Sequence, residues 1–109
     1  MKIHTLFVSL ILFLALLNSG CATTAHDEER ADLHLQIGTG HLNKGQYPDA
    51  IRELMIAEKL DPDNAMVQNN LAIALFARKR IKESIAHFTK AIELKSDYTE
   101  ARNNLARAY

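Results

Sequence analysis

Gln68-Asn69-Asn70-Leu71-Ala72 returns as Arg102-Asn103-Asn104-Leu105-Ala106 at a 34-residue offset, and the same offset carries Ala57 to Ala91 and Leu60 to Leu94. A fixed period of that length constrains the fold more than any other feature, because it implies a unit that buries its apolar face against copies of itself. Within the units, Tyr47, Ala50, Ile51, Leu54, Ala57 and Leu60 recur at helical spacing, as do Ile81, Ile85, Phe88 and Ile92; each series makes one apolar stripe on a helix. Gly45 interrupts one helix, and Pro48 suits the first turn of the next, where its missing N–H is not needed. Asp61-Pro62-Asp63-Asn64 closes a unit and caps the helix after it. Asp27-Glu28-Glu29 places negative charge where the dipole of the first helix favours it. The chain is therefore expected to be all-α, with helices at roughly 28–43, 48–60, 64–77, 81–95 and 98–109.

These positions resemble the tetratricopeptide repeat, whose pattern is W-x₂-L-G-x₂-Y, then A-x₃-F, then Ala and Pro, at the same period. The first unit supplies His34, Ile37, Gly38 and His41, then Ala50, Leu54, Ala57 and Pro62. The second supplies Gln68, Leu71, Ala72 and Leu75, then Ser84, Phe88, Ala91 and Ser96, and the third begins Arg102, Leu105, Ala106 and Tyr109. Ser96 replaces the closing Pro, His34 and Gln68 replace the Trp, and Ser84 replaces an Ala. The spacing also makes physical sense without the family: Gly38, Ala72 and Ala106 are small where the helices of a unit cross, and Ala50, Ala57 and Ala91 serve the facing helix. The resemblance implies a helix-turn-helix solenoid over residues 28–109. Only the first helix of a third unit is present, so the chain is expected to be part of a longer repeat protein, or to complete its core by pairing another chain against Leu105 and Tyr109.

Residues 1–20 are of a different kind. Lys2 precedes an apolar run from Leu6 to Leu17, followed by Asn18-Ser19-Gly20; a positive start, a short apolar stretch and small residues describe a secretory signal. A membrane-spanning helix needs roughly 20 apolar residues, which this run does not reach. Cys21 is the only cysteine, so in an exported chain it is a free thiol, an intermolecular bridge or a modified residue. Leu17-Asn18-Ser19-Gly20-Cys21 resembles the lipobox of bacterial lipoproteins, with Asn18 where that family usually has Leu. The resemblance implies cleavage before Cys21 and lipid on it, and Ala22 in place of Asp implies the outer membrane, facing the periplasm. Lipid chains would tether the protein without spanning, and residues 21–27 would form a short flexible link.

The chain carries 13 Lys+Arg against 13 Asp+Glu. With no basic excess, a surface that neutralises nucleic-acid phosphates is not expected. None of the five His, namely His4, His26, His34, His41 and His87, forms a metal-ligand pattern; His34 and His41 fall on packing positions. No nucleophile comes with a recognisable base and no Gly-rich loop follows a strand, so no catalytic residue, cofactor or metal site is expected. Glu28 and Glu29 belong to a solvated helix end. Arg78-Lys79-Arg80 with Lys82 falls in a turn, either as a solvated loop or as a contact to anionic lipid or an acidic partner.

The first helices of stacked units line a concave face. Gln36, Asn70 and Asn104 recur there at the 34-residue offset. In tetratricopeptide proteins an Asn at the corresponding place bonds the backbone of an extended peptide, which suits a carboxamide because it both donates and accepts. Asn69, Ile73, Asn103 and Arg107 join the expected binding set, with Leu35, Thr39 and Phe76 as neighbours. The alternative is a polar residue on an open face. A lipidated repeat protein with Cys21, Gly38, Ala50, Pro62, Asn70, Leu71 and Ala72 resembles the pilotin family of the type IV pilus, which implies a scaffold assisting secretin assembly. An adaptor docking cell-wall hydrolases or synthases, or an enzyme whose catalytic domain lies beyond Tyr109, are the alternatives.

Overall fold

The computed structural model describes Ile3 and residues 23–109. Cys21 and all of the leader but Ile3 lie outside the described residues, so the lipobox has no structural account. From residue 23 onward five helices follow one another: α1 Ala25–Asn43, α2 Tyr47–Leu60, α3 Ala65–Ala77, α4 Ile81–Leu94 and α5 Thr99–Ala108. The expected all-α class and helix order hold, and helix ends differ by at most three residues. The largest difference is at α1, which takes up Ala25, His26 and Asp27 from the expected link. Thr24 caps it there: its Oγ1 accepts from the Asp27 N–H at 3.1 Å and donates to Asp27 Oδ2 at 2.8 Å, satisfying a donor the first turn leaves free.

Successive helices pack pairwise, and α1, α3 and α5 also touch their counterparts in adjoining units. Asn64 caps α3, its Oδ1 accepting from the N–H groups of Met66 and Val67 at 3.1 and 3.3 Å. Pro48 lies in the first turn of α2. The turns that join the helices of a unit are built alike. Gly45 N–H bonds Leu42 C=O at 3.0 Å and Gln46 N–H bonds His41 C=O at 2.9 Å; in the second unit Lys79 N–H bonds Phe76 C=O and Arg80 N–H bonds Leu75 C=O, both at 2.9 Å. This is the Schellman pattern, which requires a left-handed residue after the helix.

The small residues lie where the helices meet, with one exception. A methyl on Gly38 would stand 2.7 Å from Leu54 Cγ, and Ala50, Ala57, Ala72 and Ala91 are fully buried. Ala106 is exposed, against expectation, because among the described residues no helix packs on it. Leu35, Leu54, Val67, Leu71 and Leu75 form one core with Ala50, Ala57 and Ala74, and Phe88 with Ala72 and Ala108 forms a second, flanked by Ile85 and Leu105. Each unit is also pinned by a polar pair. His34 Nδ1 meets Glu53 Oε2 at 2.7 Å, and at the equivalent positions of the next unit His87 Nδ1 meets Gln68 Oε1 at 2.7 Å. The Trp position of the repeat is thus filled by a polar partner for the next helix. Ser84, in place of Ala, is fully buried and donates to Ile81 C=O at 2.7 Å. Among the described residues every buried side-chain polar atom has a partner.

Candidate binding groove

The first helices of the units each present a stripe at helical spacing, and the stripes correspond across units: Asp32-Gln36-Thr39, Met66-Asn70-Ile73 and Glu100-Asn104-Arg107. Stacking converts two of them, with the end of the first, into a groove. Its larger section, about 490 Å³, is lined by Thr39, Leu42 and Asn43 of α1, Met66, Asn70 and Ile73 of α3, and Tyr98 and Glu100 at the start of α5, with Tyr47. A smaller section of about 120 Å³ continues along Ile73, Phe76 and Ala77 to Asn104 and Arg107.

Asn70 Nδ2 donates to Thr39 Oγ1 at 2.9 Å, which fixes its carboxamide. Among the described residues the Asn70 oxygen accepts only a long bond from Asn69 Nδ2, at 3.5 Å, and so keeps acceptor capacity to spare. Asn104 Nδ2 donates to Asn69 Oδ1 at 3.4 Å. Asn69 itself is fully buried; its Nδ2 also donates to Glu100 Oε1 at 3.1 Å. Asn69 is therefore a tie between α3 and α5 and not a groove contact as expected, because one residue along a helix turns a side chain by about 100°. Burial pushes the Tyr98 phenol above its ordinary range and the charge of Glu100 adds to this, while Asn69 acts the other way.

Of the residues expected to bind a partner, Asn70, Ile73, Asn104 and Arg107 come together. Gln36 does not join them: it lies on α1 in a separate hollow with His26, Glu29, Arg30, Asp32 and Leu33. The step between units sets Thr39, not Gln36, against Asn70. Asn103 is exposed and lines neither section of the groove. Leu35 is buried in the core. In the larger section sequence reasoning missed Leu42, Asn43, Tyr47, Met66, Tyr98 and Glu100; Met66 and Glu100 were findable, since each lies one turn before a repeated Asn and they share the 34-residue offset.

Elsewhere, His41 Nδ1 meets Gln46 Oε1 at 2.7 Å. Arg78, Lys79, Arg80 and Lys82 lie together around the α3–α4 turn, where Arg80 Nε and Nη2 clasp Glu83 at 2.8 and 2.6 Å. That bond holds the Glu83 carboxyl below its usual range. Among the described residues no group of three His, Cys, Asp or Glu is placed to hold a metal, and no helix is long and apolar enough to cross a membrane.

The family described as tetratricopeptide repeat matches residues 35–99. The DnaJ homolog subfamily C member 3 of Bos taurus is 32% identical over 103 residues, which are 93% of this chain and 20% of that protein. The chain thus spans about a fifth of the length of the curated relatives it matches. Among solved structures, the second TPR domain of Spaghetti (RPAP3) bound to the HSP90 peptide SRMEEVD superposes with a TM-score of 0.72 at 25% identity, covering 76% of this chain and 77% of that one. The first TPR domain of the same protein, bound to the same peptide, gives a TM-score of 0.74 at 24% identity, covering 82% and 68%.

Proposed function

The chain belongs to the tetratricopeptide repeat family, and on that premise we propose that it is a scaffold whose groove across α1, α3 and α5 holds an extended segment of another polypeptide. The observation that carries this is the placement of Asn70 and Asn104 at one register of successive units, each held by a neighbour and each with acceptor capacity left for a peptide N–H. Such contacts recognise backbone without reading side chains, while Leu42, Met66 and Ile73 supply apolar surface beside them. Solved TPR domains of similar fold hold a peptide. The role is that of a binder and not a catalyst.

Peptides selected from a random display library against the purified chain, then measured by fluorescence anisotropy, test this. Two hydrogen bonds of about 1 kcal/mol each make the expected loss on replacing Asn70 and Asn104 together with Ala roughly tenfold or more, in a variant whose circular dichroism confirms the helices. Unchanged affinity refutes the groove.

Residues 1–20 serve as an export leader and Cys21 carries lipid, which holds the domain at the periplasmic face of the outer membrane. There the groove gathers a component of a pilus or secretin assembly; the alternative is that it docks a cell-wall hydrolase or synthase instead. The place is supported by the sequence from Lys2 to Cys21, and the pilus reading by the resemblance to the pilotin family that Cys21, Gly38, Ala50, Pro62, Asn70, Leu71 and Ala72 carry.

A further inference from the structure

Glu100 and Arg107 stand seven residues apart on α5, which places them on one face, about 10 Å apart along the axis. They flank Asn104, and each lines its own section of the groove. Among the described residues, Glu100 is the only charged one lining the larger section and Arg107 the only one lining the smaller. Neither side chain forms an ion pair among the described residues: Glu100 receives one neutral hydrogen bond, from Asn69, and no hydrogen bond or salt bridge engages the Arg107 guanidinium. By contrast Arg52 and Arg80 are each paired with an acid on their own helix or at its cap. The groove therefore has a negative end, a carboxamide middle and a positive end. Met66 and Ile73 occupy on α3 the positions that Glu100 and Arg107 occupy on α5, so the charges belong to one wall only.

Resting on the reading of the groove as a peptide site, we propose that its occupant is an extended segment carrying a basic and an acidic side chain about 10 Å apart, the basic one against Glu100 and the acidic one against Arg107, with main chain across Asn104. At about 3.3 Å per residue that separation is near three residues of extended chain. A segment charged with one sign throughout meets a like charge at one end.

The test selects a random decapeptide display library against the chain, and against Glu100→Gln and Arg107→Gln variants. Gln at 100 keeps an oxygen for Asn69, so the helix contact survives. The wild-type pool should be enriched in segments with opposite charges two to four residues apart. Glu100→Gln should remove the selection for Lys and Arg, and Arg107→Gln that for Asp and Glu. Individual peptides should lose about two- to fivefold in affinity with each variant, as for an exposed ion pair, and the difference should shrink in high salt. A pool of single-sign peptides, or one indifferent to both substitutions, overturns the charge assignment while leaving the groove in place. A pool whose binding survives Asn70→Ala with Asn104→Ala, or no enriched pool at all, takes the groove itself down.

Discussion

Lys79 occupies, in the second unit, the left-handed backbone position that Gly45 occupies in the first: φ is +64° at Lys79 and +71° at Gly45. The hydrogen bonds around the two are equivalent, so the turn demands that conformation whichever residue is present, and an L side chain there is strained. Lys79→Gly should stabilise the protein by about 1 kcal/mol and Gly45→Ala should destabilise it by a similar amount. No atom lies within 4 Å of a methyl built on Gly45, so that second cost is conformational and not steric. Urea denaturation midpoints of the two variants moving in the same direction would count against the argument.

Two glycines of α1 should respond in opposite ways. Gly38 faces Leu54 at a distance a methyl cannot share, whereas a methyl on Gly40 meets nothing within 4 Å. Gly38→Val should cost roughly 2 kcal/mol through overpacking, and Gly40→Ala should add up to about 1 kcal/mol through helix propensity. Thermal denaturation of both proteins decides it.

Asn69 joins α3 to α5 through Glu100 and Asn104. Asn69→Ala removes a fully buried carboxamide and leaves both partners short of a bond, so a loss of about 1–3 kcal/mol is expected. Hydrogen exchange should show the loss concentrated in α5; a loss spread evenly over α1 and α2 would place the role of Asn69 elsewhere.

Burial holds the His87 imidazole below its ordinary range; Glu58 opposes this, Lys90 adds to it, and Glu83 and Arg80 act in opposite senses. The unfolded chain therefore takes up this proton at a higher pH than the folded one. The contribution of neutral His87 is fully present above about pH 6.5, declines as the pH drops below that value, and levels off once the folded side chain is protonated too. Stability should fall between pH 7.5 and 5.5 more steeply in the wild type than in His87→Gln, and equal slopes would show that His87 does not govern this range.

If Cys21 carries lipid, cells expressing the full chain should incorporate labelled palmitate into it, and Cys21→Ser should abolish both the label and sedimentation with membranes. Label that persists in the serine variant would remove the anchor from the proposal.

Much of the architecture was legible in the linear chain because it is set by local chemistry. The spacing of Ala50, Leu54 and Ala57 marks a buried helix face, Asn64 and Pro48 mark helix starts, and Gly38 marks a close crossing. The groove was legible only in part. The repeat marks Asn70 and Asn104 for the groove, but it also admits their neighbours Asn69 and Asn103, because a period identifies register and leaves open which adjacent side chains share the open face.

Sequence by itself determined the period, the helices and the small residues that let them approach, since these depend on contacts within about one turn or one unit. Tertiary structure decided what the stripes face. Asn70 meets Thr39, 31 residues away, and not its repeat counterpart Gln36, because each unit is displaced from the one before it. That displacement buries Asn69, leaves Gln36 outside the groove and brings Glu100 to its rim; it arises from packing between whole helices, which no single position in the chain encodes.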